Sequence, residues 1–225
     1  MKRERGMKRR ISSTTPRRTS GDLKKDLGQE KLAAIGAIAM AYNKVEDQID
    51  GLFGIATKLD GQMLLEVGTK IGSGDKVQII NCAANLFGMD EEDKNCLTDA
   101  LNEFMRLKRY RDAVIHSRLI NAPIGIGITF NRQAKINEVL LSEKALDSLY
   151  NHLFALVHEL QCDASVLIPA IEISARVVGD PDRSEYEAAK PQNSTRLRRC
   201  CHKRKSLPPI PDFPSEAGFY EADVQ

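Results

Sequence analysis

Leu97, Leu101, Phe104, Leu107, Val114 and Ile115 fall on one stripe when the chain is turned at about 100° per residue, which predicts a helix over 99–116 with one face against a core. Arg111 falls inside that stripe. A guanidinium keeps its proton and carries several donors, so an arginine on a core-facing stripe needs a carboxylate, a phosphate or a second subunit to meet it. On the neighbouring face Asp112 and His116 stand four apart, a spacing at which a carboxylate accepts a hydrogen bond from an imidazole nitrogen and fixes its tautomer. The bland account of the same residues is a solvated Arg-Asp pair and a histidine that complements the helix dipole.

The rest of the chain reads as further helices around this one. Leu32, Ile35, Ile38, Ala39, Tyr42, Val45, Ile49, Leu52, Phe53 and Ala56 keep helical period across 28–59. On that helix Glu46, Asp47 and Asp50 cluster, and Glu46 and Asp50 share a face, which is repulsive unless a cation faces them. Arg111 is the candidate cation, and a wet helix face is the alternative. Gly61, Gly68, Gly72 and Gly74 confine the next helix to about 62–67. Ser73 is the expected N-cap of a helix carrying Val77, Ile80, Ala84, Leu86 and Phe87, ending at Gly88, and Asp90 the cap of the next. The run Gly72-Ser73-Gly74-Asp75-Lys76 lacks both the preceding strand and the spacing of a phosphate loop.

After His116 the period switches to two, over 124–130 and again over 135–141, which predicts a β-hairpin. Ser142 then caps a last long helix with Leu146, Leu149, Leu153, Leu156, Val157, Leu160 and Leu167 inward, ending at Pro169 or shortly beyond. His152 and His158 on it point to different faces and are no ligand pair.

Both ends read as tails around a domain over 28–170. Residues 1–27 form a disordered basic arm carrying Lys2, Arg3, Arg5, Lys8, Arg9, Arg10, Arg17 and Arg18. Residues 171–225 read as a second disordered tail, with a basic cluster from Arg196 to Lys205 and a proline-rich segment from Leu207 to Pro214. The formal net charge of +2 conceals these patches, which suit non-specific contact with nucleic acid. The arm has no secretory pattern, and no later run reads as long and charge-free enough to span a bilayer, so the expectation is a cytoplasmic protein with no membrane contact. Five cysteines, odd in number and scattered, do not form a disulfide framework. Cys200-Cys201-His202 has no second ligand pair at zinc-site spacing, so no metal and no cofactor is expected.

In order, the chain has a long acidic-centred helix, a short Gly-interrupted helix with Asp75-Lys76-Val77-Gln78-Ile79-Ile80, a helix ending in Arg111-Asp112-Ala113-Val114-Ile115-His116, a hairpin and a long Leu-rich helix. This order resembles a HEPN domain (higher eukaryotes and prokaryotes nucleotide-binding). In that family an Arg, a polar residue and, after three intervening residues, a His close the motif helix. The polar residue is commonly Asn, with Asp and His as variants.

The resemblance covers about 29–168. It implies an all-α fold, a four-to-five-helix up-and-down bundle with the β-hairpin inserted before the last long helix, dimerising along the motif helices. Active members are metal-independent endoribonucleases, so one reading of the chain is a ribonuclease of the toxin or phage-defence kind, with an antitoxin or other partner protein. By the resemblance Arg111, Asp112 and His116 are catalytic: His116 moves protons, Arg111 stabilises the phosphate and Asp112 orients the imidazole. Glu46 would support Arg111, while Lys108, Arg109, Tyr110 and Arg118 would bind RNA, Tyr110 by stacking a base. A non-catalytic HEPN-like dimer that binds a partner protein or a nucleotide, with Arg111 as an interface ion-pair residue, is the other reading.

Overall fold

A computed structural model of the chain describes residues 29–116, 118–122, 125–132, 135–140, 142–176 and 181–210. The expected basic arm lies outside the described residues. The fold is helical, with six helices among the described residues. Helix α1 (Gln29–Thr57) buries Ile38, Tyr42, Val45, Ile49, Leu52 and Phe53 along one side. Helix α2 (Gly61–Gly68) starts at Asp60, whose carboxylate accepts the Met63 N–H at 2.9 Å. Helix α3 (Ser73–Leu86) has Gly72, not Ser73, as its N-cap, and no side chain caps it. The Ser73 hydroxyl instead accepts from Lys108 Nζ at 2.8 Å, so the expected cap residue ties α3 to the next helix. The chain leaves α3 through Gly88, whose φ of +69° lies in the left-handed region that favours glycine.

Helix α4 (Glu91–His116) places Leu97, Leu101, Phe104, Leu107 and Val114 in the core. Between α4 and the next helix the backbone runs as three antiparallel strands in the order β1-β2-β3: β1 (Arg118–Ala122), β2 (Gly125–Arg132) and β3 (Lys135–Leu140). A two-stranded hairpin was the expectation; the backbone has a further strand, β1, in register from Arg118↔Thr129 to Ala122↔Gly125. A five-residue strand ending just before Pro123 is too short to display a period of two, which is why alternation alone does not reveal it.

Helix α5 (Glu143–Ala175) is the central helix, packed against α1, α4 and the last helix. Ser142 caps it as expected, accepting the Ala145 N–H at 3.1 Å. Pro169 lies inside α5 and does not end it. A proline removes the donor that would bond the carbonyl four residues back, here that of Ser165. Asn193 Nδ2 of the last helix donates to that carbonyl at 2.9 Å, so the orphaned acceptor is satisfied from outside the helix. The 33-residue α5 is also, among the described residues, the one helix that passes by length and hydropathy for a bilayer span, contrary to the sequence expectation. Its apolar window is 56% buried inside the bundle.

The expected tail from 171 onward is largely ordered. Helix α6 (Pro181–Lys205) packs along α5 and α4 and buries Ser194, Leu197, Cys201 and Arg204. Composition misleads here because α6 docks mainly through polar groups. Arg204 pairs with the buried Glu159 of α5. The carboxylate of Asp93, with no exposure, accepts from Ser194 Oγ at 2.5 Å and Arg198 Nε at 3.0 Å. Lys190 reaches Asp90 at 3.1 Å, and Lys205 pairs with Asp99. Beyond α6, Pro208 lends its carbonyl to His152 Nε2 at 2.9 Å and Ile210 is buried, so the start of the proline-rich segment belongs to the bundle. The other ring nitrogen of His152 faces Glu103 at 3.1 Å.

Asp163, one turn from Glu159, has both carboxylate oxygens buried without a partner. Burial, then the charges of Glu159 and Asp93 against the opposing Arg204, holds its carboxyl well above the ordinary 3.8. A carboxyl with a raised folded pKa contributes stability below its unfolded pKa that is lost as pH rises through the folded value. Asp163→Asn should therefore stabilise the protein at pH 7 and change little at pH 4, read by urea denaturation at both. Arg204→Ala should cost about 3–5 kcal/mol in the same measurement, because it leaves Glu159 buried and unpaired.

Candidate functional site

Tyr42 of α1 is the centre of the site, although its sequence position marks it only as a core residue. Phe104 and Arg111 are two turns apart on one stripe of α4, and both meet the Tyr42 ring. The Phe104 ring is stacked on it at a centroid distance of 6.0 Å, and the Arg111 guanidinium carbon lies 4.4 Å from its centroid. This aromatic face answers part of the question posed by an arginine inside an apolar stripe. Arg111 also donates through one terminal nitrogen to Asp112 Oδ1 at 2.7 Å. Its side chain is 20% exposed, and its Nε is buried without an acceptor.

Glu46 follows Tyr42 by one turn on α1. Ionisation of the buried Tyr42 hydroxyl is pushed far upward by desolvation first, then by the negative charge of Glu46, with Asp112 adding and Arg111 opposing. Glu46, Arg111 and Asp112 are thereby gathered around one phenol from two helices. The signal in the sequence was a tyrosine on a core stripe, whose hydroxyl needs polar company when buried.

Beside this cluster a cleft of about 500 Å³ opens between α1, α3 and α4, lined by Asn43, Glu46, Asp47, Asp50, Ser73 and Lys76 among others. The cation paired with Asp50 is Lys76 of α3, while Arg111 stands with Glu46 at Tyr42. Lys76 is nearly buried, so the pair ties α3 to α1 as well as charging the cleft.

The expected RNA-binding residues are divided. Lys108 is engaged by Ser73 across the α3–α4 contact. Arg109 is half-buried. Tyr110, expected to stack a base, is 6% exposed and turned into the core, where Arg106 lies over its ring at 5.2 Å. The helical register explains the correction, since Tyr110 follows Leu107 by three residues and shares its buried side. Arg106 also forks onto Glu103 with two contacts of 2.6 Å. Burial opposes ionisation of Glu103, yet the hydrogen bonds from Arg106 and His152 hold its carboxyl down at about 2. His116 closes α4 and Arg118 opens β1, and the side chains of both lie outside the described residues.

Among the described residues no group of three or more His, Cys, Asp or Glu is arranged to hold a metal ion. Comparison with known proteins gives no matching family model, no matching curated sequence and no matching solved structure.

An arginine with a nitrogen buried and unbonded is costly to the fold, which makes its stability effect diagnostic. Arg111→Leu should leave stability within about 1 kcal/mol of wild type or raise it, because the Asp112 left behind is 39% exposed and solvated. Chemical denaturation measures this, and a loss above about 2 kcal/mol would make Arg111 a structural residue.

Proposed function

We propose that the chain is a HEPN-type, metal-independent endoribonuclease that acts in the cytoplasm as a homodimer, in the manner of a toxin or phage-defence effector with a partner protein to restrain it. The observation that carries the reading is the convergence of Glu46 from α1 with Arg111 and Asp112 from α4 on Tyr42, one turn before His116 at the helix end. In the proposed reaction the 2′-hydroxyl of RNA gives its proton to His116 while its oxygen attacks phosphorus. The bond to the 5′-oxygen breaks, and that leaving oxygen takes up a proton. Arg111 neutralises charge on the phosphorane. Histidine and arginine suffice for each of these tasks, so the chemistry asks for no metal. A dimer along α4 would set two such groups on either side of one phosphate, supplying acid and base together.

A second reading, a non-catalytic dimeric interaction module, is favoured by the charge of the cleft. Glu46, Asp47 and Asp50 line it, and Lys76 is already paired with Asp50, so the lining repels a phosphate backbone and suits a basic segment of a partner protein. In that reading Arg111 is an interface residue.

The two readings part on cleavage. Total RNA incubated with purified protein in excess chelator should be cut to products ending in 2′,3′-cyclic phosphate. His116→Ala should keep fold and RNA affinity while cleavage falls by about 10²–10⁴-fold. Arg111→Lys keeps the charge but loses the planar fork and should also lose cleavage. Identical RNA patterns from wild type and His116→Ala, across several substrates, would leave the interaction module standing.

A further inference from the structure

Cys200 and Cys201 are neighbours on α6, so their side chains leave the helix about 100° apart and face different neighbours. Cys200 meets α5, with its sulfur 3.2 Å from that of Cys162. Cys201 is buried towards α4, beside Cys96. The thiols are free, and in each pair one sulfur is half-buried (Cys96, Cys200) and its partner is buried (Cys201, Cys162). Cys82, exposed on α3, belongs to neither. We propose that these pairs are two oxidation sites, at which a peroxide converts each dithiol into a disulfide and locks α6 onto α4 and α5.

The pairing argues for this against chance contact. Adjacent residues of one helix each meet a cysteine, on two different helices, and the 3.2 Å separation leaves the sulfurs of Cys162 and Cys200 about 1 Å beyond the ~2.05 Å of a disulfide. In each pair the more accessible thiol loses its proton and attacks the peroxide. The O–O bond breaks, giving a sulfenic acid and one water. The buried thiol then attacks that sulfur, forming S–S, breaking S–O and releasing a second water. Two thiols and one hydrogen peroxide thus yield one disulfide and two waters, with the sulfurs giving up two electrons and the peroxide oxygens taking them. Burial and then the neighbouring thiol push Cys162 and Cys201 up to about 12, and burial raises Cys96 above its ordinary 9.0. Thiolate is the reacting form and its share rises with pH, so the reaction quickens in alkali.

The full chain carrying Cys82→Ser, which removes the exposed thiol, is treated with hydrogen peroxide at pH 8.5, alkylated, and mapped by mass spectrometry without reduction. Expected are a loss of about 4 Da, two hydrogens for each disulfide, and linked peptides joining Cys96 to Cys201 and Cys162 to Cys200. The melting temperature should rise on the order of 5–10 °C and return with dithiothreitol. Adding Cys200→Ser should remove only the link to Cys162. Sulfinic acids without links, scrambled or intermolecular pairs, thiols that stay unreacted, or a link at one pair alone would overturn the assignment. None of these readouts depends on RNA cleavage.

Discussion

Three carboxylates without exposure, Asp93, Glu159 and Asp163, sit where α4 and α5 face α6, and the bundle closes because α6 brings partners to two of them. Desolvating an ion is so costly that such a seam constrains position more tightly than apolar contact does. Leu197 would tolerate a small slide of α6 along its neighbours. The fork of Arg204 on Glu159 and the hydroxyl of Ser194 on Asp93 would not, because a shift of one residue would carry each group away from its carboxylate. The amide of Asn193 adds a third fixed point at the carbonyl orphaned by Pro169. Polar pairs thus set the register, and the few apolar residues of α6 fill the space that the pairs define.

The same seam explains where sequence reading succeeded and where it stopped. Helices α1, α4 and α5 announce themselves through long stripes such as Leu97, Leu101, Phe104 and Leu107, because apolar burial has a period that a single chain displays. Helix α6 has no such stripe. Its anchors are Arg204, Ser194 and Arg198, whose partners are about a hundred residues away or, for Glu159, forty-five, and nothing local distinguishes them from a solvated basic run. Pro169 points the same way, since proline is a sound local stop signal that a tertiary donor can override.

At the site, legibility followed the same division. Arg111 stood out because a guanidinium in an apolar stripe is a conflict between local pattern and chemistry, and such conflicts mark places where something other than packing is at stake. Asp112 was visible as its neighbour. The aromatic ring beneath Arg111 was not, because Tyr42 looks like any core residue until α1 and α4 are brought together. The lysine opposite Asp50 is illegible for a related reason: charge complementarity between helices depends on which faces meet, and Lys76 is brought to Asp50 by the packing of α3 on α1. Tyr110 lies on the buried side of the helix although its neighbours in sequence are basic.

A bundle whose buried Asp93 and Glu159 are answered by α6 has a direction in time. Ribosomes deliver the chain from the amino end, so α1 to α5 emerge with Glu159 and Asp93 lacking their cations and with the Ser165 carbonyl unclaimed. The apolar stripes can gather in that interval, but the bundle cannot settle into its final packing until residues near 205 have left the exit tunnel. The nascent chain therefore presents the inner face of α5 to chaperones or to itself until α6 follows it out. The last basic turn completes the bundle, because Glu159 meets its cation only when Arg204 has been translated.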